Sequence, residues 1–219
     1  MTTVIGLGYR ARSGKDTAAA EIIAQRRGYD IRRYAFADAL KCEVNAEAIR
    51  AGGMLNLLTL ARHRFVLCDG FYKDFPDWVV YDPYAPMDDP MCPLGKQRAL
   101  LQWYGAEHRR AQDPDYWVKR LAESIAKDNP EVALITDLRF SNEMSYIREQ
   151  DGYTVRVDRP DLPPATHISE TALEDSTDWD YILDNSGSLE QLKEGSLALF
   201  DDIYCTRTSF PYGYSCTGN

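Results

Sequence analysis

Between Gly8 and Thr17 the chain reads Gly-Tyr-Arg-Ala-Arg-Ser-Gly-Lys-Asp-Thr, and these residue types at this spacing suit one task, the binding of a polyphosphate. Gly14 lets the backbone come close to an anion, so that main-chain N–H groups donate to its oxygens. Lys15 supplies the cation that reaches the terminal phosphates, and a helix starting there adds the partial positive charge of its N-terminus. Arg12 and Ser13 stand inside the loop, and the Thr17 hydroxyl falls in the first helical turn, in reach of a phosphate oxygen. The run departs from Gly-x-x-x-x-Gly-Lys-[Ser/Thr] twice. Tyr9 is the residue five before Gly14 and Gly8 lies one position too early, so the loop is either one residue longer or turns without its first glycine. Asp16 stands where a magnesium-binding hydroxyl usually sits; a carboxylate there holds Mg2+ directly or through water. The competing reading is a plain strand-to-helix turn with Ser13 as cap and Lys15 in solvent. Glycine, lysine and placement agree, and they favour the phosphate loop.

A second acidic element follows much later. Val132-Ala-Leu-Ile-Thr-Asp137 is an apolar strand that ends in a carboxylate, and parallel strands present their C-terminal ends to the ligand crevice, which puts Asp137 near the metal. A helix cap is the alternative for that aspartate. Arg139 comes two residues on, so in an extended segment its guanidinium points to the same side as Asp137. Arg109 and Arg110 come after a helix able to carry a lid; any one arginine is more often a solvated surface group, but placement beside motif segments shifts Arg139 and Arg110 toward phosphate clamps. Arg156 and Arg159, after a late strand, flank an adenine on one reading and form a surface pair on the other.

These groups need a scaffold, and the hydrophobic pattern supplies an α/β one. Strands are expected at Thr2–Leu7, Asp30–Phe36, Val132–Asp137, Tyr153–Val157 and Tyr181–Leu183. Helices are expected at Lys15–Arg27, Asp38–Ala51, Leu94–Glu107, Pro114–Lys127 and Ser141–Gln150, with a last one opened by a Ser188/Gln191 capping box. Trp103, Trp117 and Trp179 read as core residues rather than base-stacking ones. Aromatics and prolines break the rhythm at about 64–95, read as an insertion or flap. The expected organisation is a single domain over residues 1–206 with that insertion, then a loose tail at 207–219.

Composition narrows the function classes. With 34 Asp+Glu against 25 Lys+Arg the formal charge is −9, so stable binding to a nucleic-acid backbone is not expected. No apolar run approaches the length of a membrane span. The start lacks a signal-peptide pattern, and Cys42, Cys68, Cys92, Cys205 and Cys216 show no metal-ligand spacing with one another or with the dispersed histidines. A cytoplasmic protein without a zinc site is the expectation.

With these elements placed, several segments together resemble bacteriophage deoxynucleoside monophosphate kinases of the P-loop nucleotide kinase superfamily. They are Ser13-Gly-Lys-Asp-Thr17, Ala35-Phe-Ala-Asp-Ala-Leu-Lys41, Leu100-Leu-Gln-Trp-Tyr-Gly-Ala-Glu107 with Arg110, Pro114-Asp-Tyr-Trp-Val118, Thr136-Asp-Leu-Arg-Phe-Ser-Asn-Glu143 and His167-Ile-Ser-Glu170. The resemblance implies an α/β P-loop NTPase fold of the nucleoside monophosphate kinase type, a mostly parallel sheet with helices on both faces. It implies transfer of the γ-phosphoryl group of ATP, with Mg2+, to a deoxynucleoside 5′-monophosphate. Lys15, Arg110 and Arg139 are then the catalytic residues. Arg12, Ser13, Gly14, Lys15, Asp16 and Thr17 hold the donor, and Asp16 and Asp137 the metal. Asp38, Lys41, Gln102, Glu107, Arg139, Glu143 and Glu170 take the acceptor. Partners are then small nucleotides, with neither nucleic acid nor membrane, and a homodimer is allowed. Two alternatives stay open: a kinase of a hydroxymethylated pyrimidine, free or in DNA, and a nucleotide-binding protein without turnover.

Overall fold

The apolar runs at Thr3–Gly8 (β1), Ile31–Tyr34 (β2), Val132–Leu138 (β3), Tyr153–Asp158 (β4) and Tyr181–Asp184 (β5) become five strands. They form one sheet in the order β2-β3-β1-β4-β5, with every pair parallel. The computed structural model describes residues 2–50, 84, 97–164 and 167–208, the side chains of 48–50 and 207–208 aside. Apart from residue 84, the expected insertion at 64–95 lies outside the described residues, as does the tail beyond 208.

A strand covered on both faces carries no polar alternation, which is why β1 and the first five residues of β3 are buried throughout. Ile5 and Leu7 of β1 point to the face where Ala18, Ala19 and Ile22 of helix α1 (Lys15–Gln25) pack. The same cluster takes in Leu192, Phe200 and Ile203 of the last helix, Leu189–Thr208. Gly6 faces the other way. A Cβ there would stand 2.2 Å from Ile147 Cδ1, in the helix Ser141–Glu149. Helices therefore cover both faces, as expected.

The chain forms two compact units, Met1–Ala35 with Ser124–Asn219, and Phe36–Glu123. The first holds the sheet and the helices just named. The second holds α2 (Phe36–Arg50), α3 (Arg98–Gln102) and a π-helix, Trp103–Arg110; α4 (Tyr116–Asp128) runs across the division. In chain order the remaining helices are α5 (Ser141–Glu149), α6 (Ile168–Thr171) and α7 (Leu189–Thr208).

Within the second unit the Glu43 carboxylate gathers three elements. It accepts from the Tyr104 hydroxyl at 3.0 Å, from Arg109 Nε at 3.1 Å and from the Tyr116 hydroxyl at 2.5 Å. Burial, followed by the charge of Glu43, pushes the Tyr104 phenol well above its ordinary range, so it stays a donor. The helix expected to run to Glu107 instead widens after Gln102 and continues to Arg110. Two contacts accompany the wider turn. The Trp117 indole N–H donates to the Gly105 carbonyl at 3.0 Å, and a Cβ on Gly105 would stand 2.9 Å from Leu40 Cδ2. Such tertiary demands are not visible in a local pattern.

Other boundaries differ for local reasons. Helix α1 stops at Gln25, two residues before the expected Arg27, because Arg26 leaves the helical region and pairs through Nε with Asp201 at 2.8 Å. The Ser188/Gln191 capping box forms, with Ser188 N–H on Gln191 Oε1 at 2.7 Å and Gln191 N–H on Ser188 Oγ at 3.2 Å. No helix among the described residues is long and apolar enough to cross a membrane.

Helix α5 ends through Asp151 in the left-handed region, φ 50°, after which the Gly152 N–H returns to the Ile147 carbonyl at 2.9 Å. Gly152 serves close approach, since a Cβ there would meet Val4 O at 2.5 Å and Ile147 O at 2.8 Å. Both are backbone atoms and neither swings aside. Gly152→Ala is therefore expected to destabilise the protein by about 1–3 kcal/mol, read as a lower urea midpoint at unchanged slope; an unchanged midpoint would contradict this packing.

Candidate active site

The loop between β1 and α1 turns through three left-handed residues, Tyr9 at φ 92°, Arg12 at φ 62° and Gly14 at φ 103°. This settles the spacing question. Tyr9 occupies the first-glycine position and makes the turn itself, at a cost on the order of 1–3 kcal/mol for a bulky side chain. Gly8 has a different task, because a Cβ there would lie 2.5 Å from Trp179 Cη2 and 2.9 Å from the Leu138 carbonyl oxygen. At Gly14 both demands coincide. Its φ would strain any residue with a Cβ, and a Cβ would stand 2.6 Å from Asn185 Nδ2. Asn185 follows β5 and donates Nδ2–H to the Ser13 carbonyl at 2.7 Å, so it fastens the loop from across the sheet. No local signal marked it, since an asparagine after a short strand is ordinary turn chemistry.

Lys15 is buried, and its ammonium donates to the Arg10 carbonyl and, at 3.0 Å, to Ser13 Oγ. An ammonium has three N–H groups, and these acceptors take two. Burial first, then the Arg139 charge, lowers its pKa to about 8, while Asp16 and Asp137 pull the other way. Four of the expected site residues thus share one electrostatic neighbourhood. Asp16 and Thr17 are exposed on the first turn of α1, and Asp137 is half-buried near the end of β3.

Arg139 is held from two sides. Its Nη1 donates to the Ser169 carbonyl at 3.0 Å, and its backbone N–H donates to Glu143 Oε2 at 2.7 Å, an oxygen that also accepts from Phe140 N–H at 3.0 Å. Glu143 is 1 % exposed and caps α5, so it acts on Arg139 by positioning it. The helix α6 was not expected. His167 caps it, with Nδ1 accepting from Ser169 N–H at 3.2 Å, and Glu170 lies beside Ser169 on that turn. The His167–Glu170 segment, whose chemistry residue types alone left open, therefore supplies the carbonyl that orients Arg139. Arg159 Nη1 donates to the Arg12 carbonyl at 3.3 Å.

The second unit carries the other expected residues. Asp38 and Lys41 pair at 3.8 Å on α2. Gln102 ends α3, Glu107 is exposed on the π-helix, and Arg110 ends it with Nη1 on the Pro114 carbonyl at 3.3 Å. Of the neighbouring arginines, Arg109 is bound into the Glu43 network at 3.0 Å and lies over the Tyr104 and Tyr116 rings. Trp103 and Trp117 are buried, and Trp179 is half-buried against Gly8.

Among the described residues no group of three or more His, Cys, Asp or Glu side chains is arranged to hold a metal. Two hard carboxylates, Asp16 and Asp137, do act on Lys15. That donor set fits Mg2+, which takes one or two carboxylates and fills its shell with phosphate and water.

A glycine-lysine loop after the central strand of a parallel sheet ordered β2-β3-β1-β4-β5 defines an α/β fold of the P-loop type. Within that class, residues 97–195, just under half of the chain, match the family described as deoxynucleotide monophosphate kinase. That stretch includes Gln102, Glu107, Arg110, Asp137, Arg139, Glu143 and Glu170. A protein of Acanthamoeba polyphaga mimivirus, provisionally named deoxynucleotide monophosphate kinase, is 33% identical over 76 residues, 34% of this chain and 39% of that one. The deoxynucleoside-5′-monophosphate kinase of Escherichia phage T5 is 47% identical over 53 residues, 24% of this chain and 21% of that one. The chain thus matches well under half the length of either relative. A sugar kinase structure from Janibacter sp. is similar over 92% of this chain and 95% of that one, at 15% identity and a TM-score of 0.44.

The Lys15 shift has a consequence for anion binding. Phosphate oxygens favour the charged ammonium, so below pH 8 affinity is flat, and above it binding must first take up a proton. In metal-free buffer the Kd for ADP is expected to weaken about tenfold from pH 7 to pH 9, and Lys15→Met should abolish that dependence. An affinity constant across this range would contradict the position of the ammonium.

Proposed function

We propose that the protein phosphorylates a free deoxynucleoside 5′-monophosphate to the diphosphate with ATP as donor. In this transfer the bond from the γ-phosphorus to the β–γ bridging oxygen breaks, and a bond to an acceptor 5′-phosphate oxygen forms. The observation that carries the reading is the grouping of a buried Lys15, in a glycine loop at a helix N-terminus, with Asp137 and the doubly held Arg139. The family match over 97–195 supports the acceptor class.

Phosphoryl transfer asks the protein for position and positive charge more than for covalent chemistry. Loop residues Arg12 to Thr17 hold the donor, with Lys15 directed at its terminal phosphates. Arg139 offers a planar fork that suits a 5′-phosphate, with Glu143 holding its backbone N–H and Ser169 O accepting from its Nη1. Asp16 and Asp137 would hold Mg2+, which when bound neutralises charge on the transferring phosphates. Asp38, Lys41, Gln102 and Glu107 keep the acceptor role that the resemblance gives them, and Arg110 the stabilisation of the moving group. The setting proposed is nucleotide supply for DNA synthesis in the cytoplasm of a phage-infected cell.

The test is a screen for ATP-dependent diphosphate formation from each deoxynucleoside monophosphate, including hydroxymethylated pyrimidines, beside the matching nucleosides and a DNA oligomer. Conversion of at least one monophosphate is expected, with Arg139→Lys raising the acceptor KM more than the ATP KM. Phosphorylation of the oligomer or a nucleoside but no monophosphate would transfer the reading to a DNA or nucleoside kinase. ATP binding with no transfer to any acceptor would favour the protein without turnover. Asp16→Ala and Asp137→Ala are each expected to raise the Mg2+ concentration for half-maximal rate; unchanged titrations in both would make the two carboxylates structural.

A further inference from the structure

A loop that turns at a residue with a Cβ keeps that turn only where something outside the loop opposes its relaxation. Tyr9 is such a residue, and the opposition is visible. Its N–H donates to the Leu138 carbonyl at 3.3 Å, and its ring is 8% exposed. The guanidinium carbon of Arg156 lies 4.0 Å from the ring centroid, and that of Arg10 5.3 Å. Strand register brings Arg156 there, because its Cα is the β4 partner of Gly8. Asp158 pairs with the guanidinium at 3.6 Å, and Arg10 pairs with Glu174. Among the described residues, the Nε atoms of both arginines are buried and have no hydrogen-bond partner. An arginine in that state is placed by the ring face and the carboxylate more than by hydrogen bonds along its stem.

We infer that Tyr9 and Arg156 are positioning residues for polyphosphate binding: Arg156, laid on the Tyr9 ring, holds residue 9 in the left-handed turn a glycine would adopt unaided. The inference rests on the phosphate-loop reading proposed above. It makes the aim of the loop N–H groups depend on a side-chain pair formed between the loop and β4. With Arg156 removed, Tyr9 relaxes toward negative φ and the cradle opens. With glycine at position 9 the turn has no Cβ to strain it, and Arg156 becomes dispensable.

The test is a double-mutant cycle read as ADP affinity by calorimetry at pH 7, together with amide exchange of residues 10–15. Tyr9→Phe, which keeps the ring, should bind within about twofold of the parent. Arg156→Met should weaken ADP about tenfold and speed exchange in the loop. In the Tyr9→Gly background the same change should cost less than about twofold, with exchange unaltered. Tyr9→Asn, which tolerates this backbone region, replaces the glycine variant should that fail to fold. Equal losses in the two backgrounds would overturn the inference, because Arg156 would then touch the nucleotide or act on stability alone. No loss in the parent would overturn it as well. Absence of ADP binding by the parent protein would instead overturn the phosphate-loop reading itself.

Discussion

A polyphosphate is held by backbone only if several N–H groups point inward from a short arc, and an L-polypeptide makes such an arc only by entering the left-handed region. Here it does so three times between residues 9 and 14. Much of the first unit can be understood as support for that strained arc. The Leu138 carbonyl at the end of β3 takes the Tyr9 N–H, Asn185 after β5 takes up the Ser13 carbonyl, and Leu192 of α7 would touch a Cβ on Gly14 at 3.0 Å. Each contact comes from a different element, and parallel pairing brings the C-terminal ends of β1, β3 and β5 to one edge of the sheet.

The same arrangement accounts for the electrostatics. Lysine burial is unfavourable unless nearby groups hold the charge, and here a loop carbonyl and a buried serine do so while two carboxylates oppose Arg139. Burial together with Arg139 outweighs the two carboxylates and leaves the Lys15 pKa at about 8. An added anion favours the charged ammonium and so raises that value. Arg139 takes part without being mobile, since a helix cap at Glu143 fixes its backbone and a carbonyl of α6 its side chain.

What the sequence disclosed follows chain adjacency. Gly14, Lys15 and the strand ending at Asp137 were legible because strand, turn and helix signals lie within a few residues of the chemistry. Arg139 was legible through the two-residue period of an extended segment. Asn185 and Arg156 were not legible as loop supports, because each meets the loop from more than a hundred residues away in the chain. Glu143 read as a ligand-binding carboxylate from its motif, yet the structure sets its Oε2 on two backbone amides. The π-helix escaped for a related reason. Its turn accompanies the packing of Gly105 on Leu40 and the Trp117 indole bond to Gly105, and neither contact leaves a periodic trace.

The sheet pairing also has a kinetic side. The neighbours of β1 in the sheet are strands far along the chain, β3, where Thr3 meets Val132, and β4, where Gly8 meets Arg156. These are contacts of very high order, with the whole of Phe36–Glu123 interposed, and closing such loops slows the search for the native sheet. On a translating ribosome β1 waits without either flanking strand until Val132–Leu138 and Tyr153–Asp158 have been synthesised. The glycine-lysine loop, although made before β3 and β4, therefore acquires its shape only after those strands arrive. An apolar strand left unpaired for that interval is a natural client for chaperones, and the vulnerability of this protein to aggregation should be greatest before β3 is made.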